Sequence, residues 1–240
     1  MRARIRDLAT FLPPFLQAHR RRRLAQRLPP GPLQDFLAPP LPSPQTPLED
    51  CVFAVVDFET TGLDPRRDHV ISVGLVEIRR LAIPLAGAWR ALVSTPRALP
   101  ERSTVIHGLT DDTLAAGEPL ETVMAALLRR LQGKILVAHH ARLELGFLQR
   151  LCRQLYGAPF ICTWLDTREL AQRCLGGSEF PPREAELRLF NLRRRFGLPD
   201  YTAHDALYDA LATAELFLAL LAELNPKLDG RLKDLRPHTG

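Results

Sequence analysis

The distribution of apolar residues predicts an α/β domain with a mixed five-stranded sheet flanked by helices. Two observations carry the reading. Three β-rich runs follow one another between residues 51 and 94, and beyond them strand-length apolar runs alternate with segments of helical period. A third observation sets the scale: 240 residues at 46% hydrophobic content can bury the core of one catalytic-size domain with an appendage. No window approaches the roughly 18 uninterrupted apolar residues of a membrane span, and the composition excludes wholesale disorder.

Ordered patterning begins abruptly at Cys51. CVFAVVDF (51–58) is a β-rich run, followed by the turn-like TTGLDPRRD. VISVGLVEI (70–78) alternates and reaches Arg79-Arg80, a second strand; AWRALVS (88–94) is a third, and the spacing predicts an antiparallel meander. LETVMAALLRRLQ (120–132) has helical period, KILVAH (134–139) reads as a buried strand, and a helix covers 142–156. FICTWLDT (160–167) is the fifth strand, and helical patterns occupy 167–175, 184–196 and 205–224.

The first 50 residues hold 10 of the 21 prolines, with PPGP at 29–32 and PPLPSPQTP at 39–47. Such density predicts neither continuous helix nor central strand. Residues 1–50 therefore read as an Arg/Pro-rich arm and linker, 51–225 as the folded domain and 226–240 as a short basic tail. Charge divides along the same lines. Of the net +5, residues 1–50 carry +4 and residues 226–240 carry +2, while 51–225 carry −1. An anionic partner of the domain must thus be held by something other than bulk positive charge. The His19-Arg-Arg-Arg-Arg23 cluster suits phosphate, an anionic membrane surface or a partner subunit, and equally a solvated basic arm. Four cysteines without a CxxC pair, and an N-terminus without the marks of a secretory signal, predict free thiols and a cytoplasmic protein.

Three segments carry chemistry. In VVDFETTG (55–62), side chains two apart in a strand share a face, so Asp57 and Glu59 point together near the strand's end. Two ionised carboxylates in an apolar setting repel each other, and burying them is costly unless a cation neutralises them. In VAHHARLELGFL (137–148) a buried strand runs into His139-His140 and then a helix with Glu144 in its first turns. An acid at that place is also simply favoured by the helix dipole. In AHDALYDALATAEL (203–216), Asp205 is placed to cap a helix and Asp209 lies one turn in. Positions five apart do not share a helix face, so His204 converges with Asp209 only if it sits on the loop entering the helix.

Together these segments resemble the three motifs of the DnaQ-like (DEDDh) 3′–5′ exonucleases, which include the exonuclease domain of the DNA polymerase III epsilon subunit. VVDFETTG resembles the first motif, and His204-Asp-Ala-Leu-Tyr-Asp209-Ala resembles the third. Between them IHGLTDDTL (106–114) is similar to the family's His-Gly-Ile-Thr segment, and Asp166-Thr167 falls where members often carry a D-T pair. The resemblance covers about residues 51–222. It implies an RNase H-like fold and two divalent ions, Mg²⁺ or Mn²⁺, held by oxygen ligands. In the family pattern Asp57 bridges both metals, Glu59 and Asp209 complete the nucleophile-side site, and His204 takes the proton from the attacking water. Thr60, Thr61 and His107 border the terminal nucleotide. One departure is notable. Glu144 stands where the family usually has Asp, with His140 for a common Asn and Leu143 for a more usual Phe.

The implied function is a metal-dependent 3′–5′ exonuclease acting on DNA 3′ ends, in proofreading, repair or end trimming; no motif separates DNA from RNA. A replication or repair protein bound through the N-terminal arm is the expected partner. The competing reading, motivated by Glu144 and the arm, is a degenerate exonuclease fold that serves as a nucleic-acid or replisome binding module.

Overall fold

A computed structural model describes residues 14–94, 116–176, 182–201 and 204–240. The predicted elements are present: β1 (Val52–Thr60), β2 (Val70–Arg79), β3 (Trp89–Leu92), α3 (Leu120–Leu131), β4 (Ile135–Ala138), α4 (Arg142–Tyr156), β5 (Thr163–Asp166), α5 (Thr167–Leu175), α6 (Leu189–Arg195) and α7 (Ala206–Leu224). They form a mixed sheet in the order β3-β2-β1-β4-β5-β6. β1 runs antiparallel to β2 and parallel to β4, and β4 is parallel to β5. The sheet has six strands where the sequence predicts five. The sixth, β6 (His238–Thr239), lies in the expected basic tail and pairs antiparallel with β5.

Strand alternation divides the core into two layers. Ala54, Val56 and Phe58 of β1 face one layer with residues of α3 and α4. Phe53 and Val55 face the other, with α7 and α5. Asp57 and Glu59 continue the second set by parity, so they emerge on the α7 side. β4 stops at Ala138 while β1 runs on to Thr60, which leaves both acids beside the turn that starts α4.

Gly74, paired with Asp57 across β1 and β2, has its missing side chain for a reason. A Cβ there would lie 2.0 Å from the Ala206 carbonyl oxygen, so only glycine lets the start of α7 rest on the sheet.

The N-terminal segment departs from expectation. Two helices, α1 (Pro14–Arg27) and α2 (Pro32–Leu37), occupy what reads as a linker. Proline density over 50 residues conceals the proline-free run from Phe15 to Leu28, and Pro32 sits at the first helical position, where the missing N–H costs nothing. Ala25, Leu33, Phe36 and Leu37 join the α3/α4 core layer, and Phe36 stacks on Phe160 with ring centroids 4.9 Å apart. Within the basic cluster Arg21 points inward: its guanidinium donates to the carbonyls of Ile161, Phe36 and Pro39. Arg22 and Arg23 remain exposed. The C-terminal tail is tied down as well, with Leu232 and Leu235 buried and the 44–48 backbone hydrogen-bonded to 230–233.

Candidate active site

The site forms where β1, α4 and α7 meet. Asp205 accepts from the backbone N–H groups of Leu207 and Tyr208 and so caps α7, and Arg90 on β3 pairs with its other oxygen at 2.9 Å. His204 lies just before the cap, on the loop, as convergence with Asp209 requires. Its backbone is left-handed (φ 70°), and its N–H donates to Asp209 Oδ2 at 3.0 Å. One ligand atom from each of Glu59, His204 and Asp209 lies within 4.8 Å of the others, with both acids buried and His204 exposed.

Asp57 and Glu144 complete the acidic set. Burial, reinforced by the charges of Glu144, Asp209, Glu59 and Asp205, holds Asp57 well above the ordinary carboxylate range. Glu59 is pushed up to about 7, by burial first and then by Asp209 and Asp205, with Arg90 opposing. Burial pushes Glu144 up to about 8, and Asp209 to about 6 against the opposing His204 N–H. Glu144 Oε2 and Asp209 Oδ1 are buried without a hydrogen-bond partner among the described residues. Clustered, desolvated, partly orphaned oxygen donors beside one imidazole fit a hard divalent cation.

The turn into α4 is set by Asp166. This buried carboxylate accepts from the backbone N–H groups of His140, Ala141 and Arg168, at 2.9, 3.1 and 2.9 Å. It thereby caps α5 and fixes the left-handed His140 (φ 69°) that starts the Glu144 helix. His139 is structural: its ring bonds the Thr167 hydroxyl at 2.8 Å and the Leu187 carbonyl at 3.0 Å, and burial pushes its pKa down to about 4.

The loop after β1 is internally braced. Thr60 donates to the Gly62 carbonyl, and Thr61 Oγ1 accepts from the His69 N–H and contacts Asp68. His107 and the surrounding 106–114 segment lie outside the described residues.

The sequence reading missed Gly74 and Arg193. An isolated glycine in an apolar strand is itself a mark of close backbone approach. Arg193 belongs to a run of three arginines, yet its spacing of four from Leu189 puts it on the apolar face of α6.

The exonuclease family model (RNase_T) matches residues 54–217. The chain belongs to the exonuclease family. Among similar exonuclease relatives, the DNA polymerase III epsilon subunit of Treponema pallidum is 32% identical over 177 residues, covering 72% of this chain and 78% of that protein. A PolC-type DNA polymerase III of Thermotoga petrophila is 32% identical over 170 residues, 71% of this chain but only 12% of the polymerase. A DNA polymerase III epsilon-like protein of Rhodobacter capsulatus is likewise covered over only 25% of its length.

Solved exonuclease structures share the fold. The nuclease domain of 3′hExo, a DEDDh family member bound to rAMP, superimposes with a TM-score of 0.63 at 16% identity over 74% of this chain and 94% of that one. Exonuclease X in complex with 5′ overhanging duplex DNA gives 0.56 at 21% identity, over 76% and 96%. The RNase H-like architecture expected from the motifs is thus the observed one. DEDDh exonucleases use divalent metal ions, and the Glu59–His204–Asp209 cluster is a donor set of that kind. No described helix is long and apolar enough to cross a membrane.

Proposed function

We propose that this chain is a metal-dependent 3′–5′ exonuclease that hydrolyses the terminal phosphodiester of nucleic-acid 3′ ends, DNA preferred, and releases nucleoside monophosphates. One observation carries the reading: Glu59 from a strand, His204 from a loop and Asp209 from a helix converge within 4.8 Å, with Asp57 and Glu144 alongside. Asp57, Glu59, Glu144 and Asp209 are the residues to hold two Mg²⁺ or Mn²⁺ ions. Bound there, such ions supply Lewis-acid activation of water and charge for the leaving oxygen. His204, the exposed member, accepts the proton of the attacking water, as suits an imidazole acting as general base. Thr60, Thr61 and His107 border the terminal nucleotide.

Several features support the finer parts. The DNA polymerase III epsilon-subunit relatives support DNA over RNA. Residues 51–225 carry the chemistry. The outward arginines of α1 (Arg22, Arg23 and Arg27) suit a nucleic-acid strand or a replication or repair protein. The four free cysteines suit the cytoplasm. The acidic set is complete, so a degenerate binding module is not favoured.

The test is release of the 3′-terminal nucleotide from matched labelled DNA and RNA oligonucleotides with Mg²⁺ or Mn²⁺. Wild-type protein is expected to shorten the DNA faster, and His204→Ala to lose roughly 10²–10⁴-fold in rate. Intact 3′ ends on both substrates, unchanged by Asp57→Ala, would overturn the reading.

A further inference from the structure

Arg193 is a charged side chain with no exposed surface, in the short helix α6. Such burial needs partners, and it has three kinds. Nη1 donates to the Ala212 carbonyl in the middle of α7, and Nη2 donates to the Pro199 carbonyl. Nη2 also pairs with Glu215 Oε2 at 2.7 Å. The guanidinium carbon lies 4.8 Å from the centre of the Tyr201 ring, and the Tyr201 hydroxyl donates to Glu215 Oε1 at 2.8 Å. One glutamate therefore receives the arginine on one oxygen and the tyrosine on the other. The ring of Tyr201 also faces that of Tyr208, on the first turns of α7, at 6.1 Å.

The location of these partners matters more than their number. Pro199 and Tyr201 are on the segment that delivers His204, five and three residues before it. His204 is itself in the left-handed region, which a non-glycine residue keeps only when its surroundings hold it there. Downstream it is held by Asp209 and by the Asp205 cap. Upstream the nearest described anchor is Tyr201. Three extended residues reach about 10 Å, so fixing Tyr201 bounds where His204 can go.

We propose that Arg193, Glu215 and Tyr201 form a positioning network that sets the place of His204 against Glu59 and Asp209. This rests on the exonuclease reading for its kinetic consequence but not for its structural one. None of the three residues touches the reacting atoms. They act by tying α6, α7 and the chain at Pro199 and Tyr201 into one unit, so loosening them lets the imidazole drift while the acidic cluster stays in place. A drift of an ångström is enough to cost a large factor in rate.

Tyr201→Phe tests this, because it removes only the hydroxyl and leaves the ring against Arg193. The expected result is a fall in kcat of about tenfold for 3′-nucleotide release, with KM within about twofold of wild type and Tm within about 3 °C. In ¹³C–¹H spectra the His204 imidazole signal, identified by its loss in His204→Gln, should shift or broaden. Glu215→Gln should do the same more strongly. The double variant should be no worse than Glu215→Gln alone, because both changes break one network. Arg195→Gln, at the exposed arginine that ends the run, should change nothing.

The proposal is overturned if Tyr201→Phe keeps wild-type kcat and an unmoved His204 signal, or if the two losses simply add. If wild-type protein releases no nucleotide, the functional reading fails. The His204 signal in Tyr201→Phe still decides the network.

Discussion

Two buried charged centres, at opposite ends of the sheet, show what burial means in this molecule. Arg21, against the start of β5, is 4% exposed and donates to three backbone carbonyls. Burial lowers its pKa only to about 10, so it remains charged, and its contacts form a closed set. At the other end, Asp57, Glu59, Glu144 and Asp209 crowd together. Each is driven toward its protonated form, and oxygens of Glu144 and Asp209 lack partners among the described residues. The first centre is satisfied by the fold alone. The second is a charge arrangement the fold leaves unneutralised, and under the proposed function a dication completes it.

The sharpest way to separate the two is to neutralise each. Asp57→Asn should cut exonuclease turnover by roughly 10³-fold, in line with several kcal/mol of lost metal-assisted stabilisation, yet raise the Tm of metal-free protein by relieving repulsion. A loss of both activity and metal-free stability would put Asp57 in the same structural class as Arg21. Arg21→Met should behave oppositely. Stripping two buried carbonyls and a half-buried one of their donor should cost about 2–4 kcal/mol in urea unfolding, while kcat of the folded fraction stays near wild type.

The pH dependence of stability gives a smaller and independent contrast. Glu59, Glu144 and Asp209 have folded pKa values raised to about 7, about 8 and about 6, so folding favours their protonated forms. Their contribution is complete below the ordinary carboxylate range and is lost as pH rises through the raised values. His139, lowered from 6.5 to about 4, opposes this below its ordinary value, so the clear window lies above 6.5. Metal-free protein should therefore lose Tm between pH 6.5 and about 8, and added Mn²⁺ should remove the loss by binding the ionised cluster. A flat profile would mean the carboxylates are already satisfied within the protein.

The mildest test concerns Glu144. Shortening it to Asp withdraws the carboxylate by one methylene from a place the helix α4 was built around, with an expected loss of about tenfold in kcat. A large gain from near-zero activity would instead favour the degenerate reading.

Much of the site was legible in the chain. Alternation in VVDFETTG put Asp57 and Glu59 on one strand face, and the five-residue gap between His204 and Asp209 demanded a loop histidine, which the left-handed His204 supplies. The helices 142–156 and 167–175 fall where their periodicity placed them. The N-terminal helices were hidden because a proline count averages over positions, whereas proline at a helix's first residue does no harm. β6 was hidden because a two-residue strand has no period to read and exists only through its pairing with β5.

What the sequence determined by itself is whatever depends on spacing along one element: the strand faces, the helix ends and the residue types fit for divalent ions. Tertiary structure alone decided which arginines are inside, that Asp166 clamps the turn into α4, and that Gly74 lets α7 settle beside Asp57. Those outcomes depend on atoms brought together from distant parts of the chain. A run of arginines reads as a solvated face until the structure shows which of them has carbonyls and a carboxylate waiting.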